Sequence, residues 1–268
     1  LLIRPFESAL DKNAQDVILV SPDLVLNYIP FATLNDGNTF LANKYNMVRF
    51  SNLFISQINK GSRGYLNASA FGTTKQFLDF EPLPAVEKEL TGFKKNLDKY
   101  KPNVFLNEQF NLNTLKESLT HKESILHIAS HFLFDGLTDE TSFLLLGNGD
   151  RLTLRNIRTD DFDFSKIKLL TLSACETANQ NLYEKGAGRE LTGLAYIAQS
   201  KGAKSILATL WPVHDNATAV FMEKFYELLG KNNTLLDSVY KTKNYMQNHP
   251  EYSHPFYWSG FILSGDWN

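Results

Sequence analysis

The chain has few covalent or electrostatic features that would place it in a specialised class. Among its 268 residues there is one cysteine, Cys175. No internal disulfide can therefore form, no zinc site can be built on paired cysteines, and a reducing, cytoplasmic setting is expected. Lys and Arg number 27 against 29 Asp and Glu, a net charge of −2. That balance lacks the basic excess that binds nucleic acid or an anionic membrane surface, so neither is expected as a partner. No apolar run approaches the roughly 20 residues that span a bilayer, and no secretory signal is present. There is no initiating Met: Leu1 opens a stretch, LLIRPFESAL, that already reads as folded sequence, so a longer protein is expected to continue upstream. Internal repeats and low-complexity linkers are also missing. What remains is an ordinary globular composition, 43% hydrophobic and 21% charged, long enough to bury a substantial core as one domain or two small ones.

The elements alternate. Val17–Val20 and Leu24–Ile29, separated by Ser21-Pro22-Asp23, read as two short strands around a turn. A strand at Met47–Phe50 and a helix at Asn52–Asn59 follow, then a strand at Tyr65–Phe71. Val86, Leu90, Phe93 and Leu97 recur at helical spacing after a proline, which predicts a helix over Leu83–Leu97. Val104–Leu106 is a strand, Asn113–Leu119 a helix and Ile125–Ala129 a strand. Phe143–Leu146 and Arg151–Leu154 flank Gly147-Asn148-Gly149-Asp150 as a hairpin, or Thr153–Arg158 begins a short helix. Strands at Lys168–Ala174, Ser205–Leu210 and Phe261–Leu263 interleave with helices at Leu191–Ser200, Asn216–Leu229 and Leu235–Gln247. Such alternation predicts an α/β fold with a mostly parallel sheet covered on both faces. Reactive groups in that architecture gather beyond the C-terminal ends of the strands.

Two strand ends carry chemistry. The strand SILHIA leads into Ser130-His131, and LLTLSACET, residues 169–177, delivers Cys175. If the two strands are parallel neighbours, a spacing of about 4.8 Å sets their ends roughly 5–10 Å apart. An imidazole would then lie within reach of a thiol, which it deprotonates or holds as an ion pair before protonating a leaving amine. Taken alone, Cys175 reads more readily as an inert core filler, since free cysteine is among the most buried residue types, and His131 as a loop cap or structural hydrogen-bond donor. His127 and His131 form H-x-x-x-H, a metal spacing on a helix. On a strand the pair would stand about 13 Å apart, so no metal is expected and His127 reads as a buried strand residue.

The landmarks form an ordered series. They are ILHIASH at 125–131, LLTLSACET at 169–177, Gly186 and Gly188, and LTGLAYIAQSKGAKSILATLWPVHDNAT at 191–218. FMEKFYELL at 221–229 and PFYWSGFILSGD at 255–266 follow, and VILVSPDLVLNYIPFATLNDG at 17–37 and PLPAVEKEL at 82–90 precede them. In this order they resemble the CHAT domain of the caspase-like cysteine peptidases, a group that also includes separase, over nearly the whole chain. The resemblance implies a caspase-like α/β/α sandwich. Residues 1–268 would form one CHAT domain, with a possible subdivision into a degenerate caspase-like half at 1–110 and an active half at 111–268. It assigns His131 and Cys175 as the catalytic dyad, at a separation near the roughly 50 residues noted for caspases. Backbone N–H groups of Phe132 and Cys175 would hold the oxyanion. Many family members have Gly after the histidine and Thr before it; here Phe132 and Ser130 stand in those places.

The primary pocket is implied to lie in the loop after the strand that follows the nucleophile strand, here Trp211-Pro212-Val213-His214-Asp215. Trp211 would wall it, and Asp215, Asp135 or Glu176 would receive a basic side chain. The competing reading packs Trp211 in the core and makes Asp215 a cap of the following helix. No third residue orienting the histidine is evident. The activity implied is regulated cleavage of a protein or peptide partner by a cysteine endopeptidase that needs no metal or organic cofactor. An upstream tetratricopeptide or other sensor region is implied, and some such bacterial proteins act in antiphage defence and cell death, including gasdermin activation. The rival is a catalytically silent caspase-like scaffold that signals by binding. A third reading, another α/β hydrolase or transferase, lacks a G-x-S-x-G or G-x-C-x-G elbow, since Ala174 and Glu176 flank Cys175.

Overall fold

The computed structural model describes residues 3–8, 10, 17–50, 64–77, 80–122, 124–133, 138–173 and 190–267. Eight strands make one sheet: β1 (Val17–Val20), β2 (Asn46–Arg49), β3 (Asn67–Gly72), β4 (Asn103–Leu106), β5 (Ser124–Ala129), β9 (Ile167–Leu172), β10 (Ser205–Thr209) and β11 (Phe261–Gly265). Their order is β1-β2-β11-β10-β9-β5-β3-β4. Every neighbouring pair is parallel except β10 and β11. Strands from the first 110 residues thus occupy both edges of the sheet whose centre comes from the rest of the chain. A second, antiparallel sheet of β6 (Phe132–Leu133), β7 (Phe143–Leu145) and β8 (Arg151–Thr153) hangs from the end of β5.

The period of two along the strands sorts their side chains into two cores. On β5, Ile125 and Ala129 face one layer, while Leu126 and Ile128 face the other. On β10, Leu207 goes to the first layer and Ile206 and Ala208 to the second. The first layer is covered by α1 (Ala85–Asn96), α5 (Asp215–Gly230) and α6 (Leu235–Gln247). The second is covered by α2 (Leu112–Ser118), α3 (Leu154–Thr159) and α4 (Glu190–Ser200). The result is an α/β/α sandwich with a mostly parallel centre, and the central strands are buried on both faces, as that layering requires. On α1 the buried residues Val86, Glu89, Leu90 and Phe93 recur at three- and four-residue steps, so one stripe seats the helix on the sheet. Gly72, the last residue of β3, lets α1 come close: a Cβ there would stand 2.5 Å from Val86 Cγ1.

Two local readings are revised or completed. Leu24–Tyr28 is a 3₁₀ helix, not a strand, and the chain does not fold back on β1; β1 pairs in parallel with β2 instead. The cause is local: Pro22-Asp23 turns the chain, the Asp23 carbonyl accepts from Leu26 N–H, and Pro30 stops the segment. At 143–159 the hairpin and the short helix coexist. Thr153 ends β8 and caps α3 through a reciprocal box with Asn156, while Gly149 turns the hairpin at φ +92°. The helix expected at Asn52–Asn59 lies outside the described residues. Among the described residues, no helix is long and apolar enough to cross a membrane.

Candidate active site

β5 and β9 are adjacent and parallel, with Ile128 opposite Leu172. Beyond the paired residues the two chains stay together, since Ser173 N–H donates to Ile128 O at 2.8 Å. The chain that leads to Cys175 therefore leaves the same end of the sheet as the chain that leads to His131. Cys175 itself, with Glu176 and Asp135, lies outside the described residues.

His131 is buried. Its ring packs on Phe80 at a centroid distance of 4.8 Å, and its Nε2 lies 2.9 Å from the carbonyl oxygen of Glu81. A carbonyl only accepts, so Nε2 carries the proton and the acceptor lone pair of the neutral ring sits on Nδ1. Burial pulls the imidazole pKa down to about 4, against an opposing upward pull from the Glu81 hydrogen bond. The ring is accordingly neutral at neutral pH, the state required of a base. Glu81 supplies the orienting group for which the sequence offered no candidate. It does so through its main chain, so no residue type could have signalled it.

Ser130 is buried, and its hydroxyl donates to Leu145 O at 2.5 Å, pinning the end of β5 to β7. Phe132 sends its side chain into the second core. It stands opposite Leu144, while Leu145 N–H donates to His131 O. That pattern makes Phe132–Leu144 a non-hydrogen-bonded pair, so the Phe132 N–H points away from β7.

Four residues before His131, on β5 itself, His127 is wholly buried. Its Nδ1 is 2.8 Å from Tyr226 Oη and its Nε2 is 3.0 Å from Glu89 Oε1. The second contact is short but not aligned as a hydrogen bond, which makes it a close electrostatic contact between β5 and α1. His127 and His131 thus have separate partners. Among the described residues, no group of three His, Cys, Asp or Glu side chains is arranged to hold a metal.

The loop after β10 holds the other sequence candidates. Trp211 is half-buried; its Nε1–H donates to Phe256 O at 3.0 Å and its ring stacks on Phe256 at 6.1 Å. Asp215 is the first residue of α5, after the N-cap His214. Its Oδ2 accepts from the N–H of Ala85, at the start of α1, at 2.7 Å. Burial raises the Asp215 carboxyl above the usual carboxylate range, partly offset by that N–H.

A family model for the CHAT domain matches residues 1–266. The chain belongs to the CHAT domain family. Tetratricopeptide repeat protein 28 of Mus musculus is 31% identical to this CHAT domain over 122 residues, 46% of the chain. The Homo sapiens protein of the same name is 27% identical over 99 residues, 37% of the chain. The match spans only 4% of either relative's length. Among solved structures, the Arg-specific cysteine proteinase gingipain R superposes with a TM-score of 0.60 at 10% identity, covering 98% of this chain and 66% of that one. Separase, in the Saccharomyces cerevisiae separase–securin complex, gives 0.55 at 17% identity over 91% of this chain and 15% of that one. At such identities the likeness concerns the fold, and the fold of this CHAT domain is that of the caspase-like cysteine proteinases.

Proposed function

We propose that this CHAT domain is a cysteine endopeptidase with Cys175 as nucleophile and His131 as base. The observation that carries the reading is the parallel pairing of β5 with β9, whose C-terminal ends, just before His131 and Cys175 in the sequence, lie side by side at one end of the sheet. His131 Nδ1 takes the thiol proton, and Cys175 Sγ attacks the scissile carbonyl carbon. The oxyanion is received by the N–H groups of Phe132 and Cys175. The proton passes from His131 to the leaving amine as the C–N bond breaks, leaving a thioester. Water, deprotonated by the same ring, then releases the acid and frees Cys175. The nucleophile and the base are both side chains of this chain, and no cofactor is invoked.

Trp211 is proposed to wall the primary pocket, and Asp135 or Glu176 to favour a basic residue at the cleavage site. Regulated cleavage of a protein partner, governed by an upstream repeat region, is the proposed biological role, with bacterial antiphage defence or cell death as its setting. The test is a positional peptide library offered to the wild-type chain, Cys175→Ala and His131→Ala, with and without the upstream region. Cleavage that disappears in both variants supports the reading. No cleavage by the wild type in any form leaves the silent scaffold.

A further inference from the structure

We infer that Asp215 is a positioning residue that sets the His131 imidazole through the start of α1. The inference rests on the peptidase reading above. Helix α1 opens without a cap of its own: its N-cap is Pro84, whose side chain has no acceptor. The first N–H groups of a helix lack partners inside it. The acceptor comes instead from Asp215, 130 positions later in the chain, at 2.7 Å from Ala85 N.

Between Ala85 and Glu81 the chain reads Pro82-Leu83-Pro84. Each proline holds its own φ near −65° and restricts the residue before it to extended conformations, so Glu81 through Pro84 have little torsional freedom. Leu83 is buried in the first core, and its carbonyl accepts from Val86 N–H at 3.2 Å. The segment therefore behaves as a strut. At its far end the Glu81 carbonyl receives the Nε2–H of His131. A shift of Ala85 is passed to Glu81, and the hydrogen bond that selects the His131 tautomer goes with it. One carboxylate oxygen of Asp215 is committed to this N–H, an arrangement suited to holding α1.

Asn at position 215 keeps an acceptor oxygen for Ala85 N–H but carries no charge, whereas Ala keeps neither. The experiment compares wild type, Asp215→Asn and Asp215→Ala by ¹⁵N spectroscopy of labelled histidine, with His131 assigned through His131→Gln. It also compares kcat and KM on an arginyl and on an uncharged peptide. Asp215→Ala is expected to lose the Nε2–H tautomer and about tenfold or more in kcat on both peptides, with KM changed less than about twofold. Asp215→Asn is expected to restore most of both. The inference is overturned if Asn fails as Ala does while KM rises for the arginyl peptide alone, which is the signature of charge recognition. An unchanged His131 spectrum in folded Asp215→Ala also overturns it. If Asp215→Ala does not fold, Pro82→Gly/Pro84→Gly decides: the strut is loosened with Asp215 intact, and wild-type kcat and tautomer there refute the coupling. A wild-type chain that cleaves nothing defeats the peptidase reading, while the tautomer comparison still reports on Asp215.

Discussion

Replacing Gly72 by Ala tests how closely α1 must sit on the sheet. The added Cβ would lie 2.5 Å from Val86 Cγ1, 3.0 Å from Leu90 Cδ2 and 3.2 Å from Leu90 Cδ1. Carbon atoms in contact settle at about 3.5–4.0 Å, so roughly 1 Å must be found. Val86 is β-branched and confined to one rotamer in a helix, and both Val86 and Leu90 are buried. The clash is therefore relieved by moving α1, at about 1–3 kcal/mol for overpacking. Because Glu81 leads into α1, the same movement displaces its carbonyl from His131, and kcat should fall with stability. Val86→Ala removes the clashing methyl. Alone it should cost about 2 kcal/mol in lost burial and cavity. Combined with Gly72→Ala, the new methyl occupies part of the vacated space, so the double variant should be more stable than the two single losses predict by about 1 kcal/mol or more. Urea unfolding of the four proteins, compared by midpoint at constant slope, measures this. Additive losses, or a Gly72→Ala chain as stable as wild type, would refute the reasoning.

Two further predictions concern the buried histidines. His131 is held at a pKa of about 4 in the folded chain, against about 6.5 when unfolded. The unfolded chain then binds more protons between those values. The stability tied to the neutral ring is thus fully present above pH 6.5 and falls by about 3 kcal/mol as pH drops to 4. Unfolding of wild type and His131→Gln from pH 7 to pH 4 should diverge by that amount, and parallel curves would exclude the effect. Glu89→Ala strips His127 Nε2 of its buried neighbour and should cost at least about 2 kcal/mol. The apolar pair Glu89→Met/His127→Phe should recover much of it, and a loss under about 0.5 kcal/mol for Glu89→Ala would show that the contact contributes little.

The sequence by itself determined the central strands, because a buried strand must be apolar on both faces and a surface helix on one. SILHIA and KLLTLSA, the helical spacing of Val86, Leu90 and Phe93, and the turn at Gly149 were legible for that reason. Motif order then indicated His131 and Cys175 as partners. Only the tertiary structure decided which strands are neighbours, because strand order depends on crossovers that carry no local signal; β1 and β2 lie on one edge and β3 and β4 on the other although they are consecutive in sequence. Leu24–Tyr28 failed as a strand because the turn at Pro22-Asp23 and the stop at Pro30 outweigh an apolar run with nothing to pair with. The orienting group of His131 is a carbonyl, and every residue has one, so Glu81 could be found only by proximity. That the Asp215 carboxylate accepts from the first N–H of α1 could be found only from the packing of α1 against α5. Hydrogen bonds between segments so distant in sequence are set by where the fold brings backbone donors, which composition and periodicity do not record.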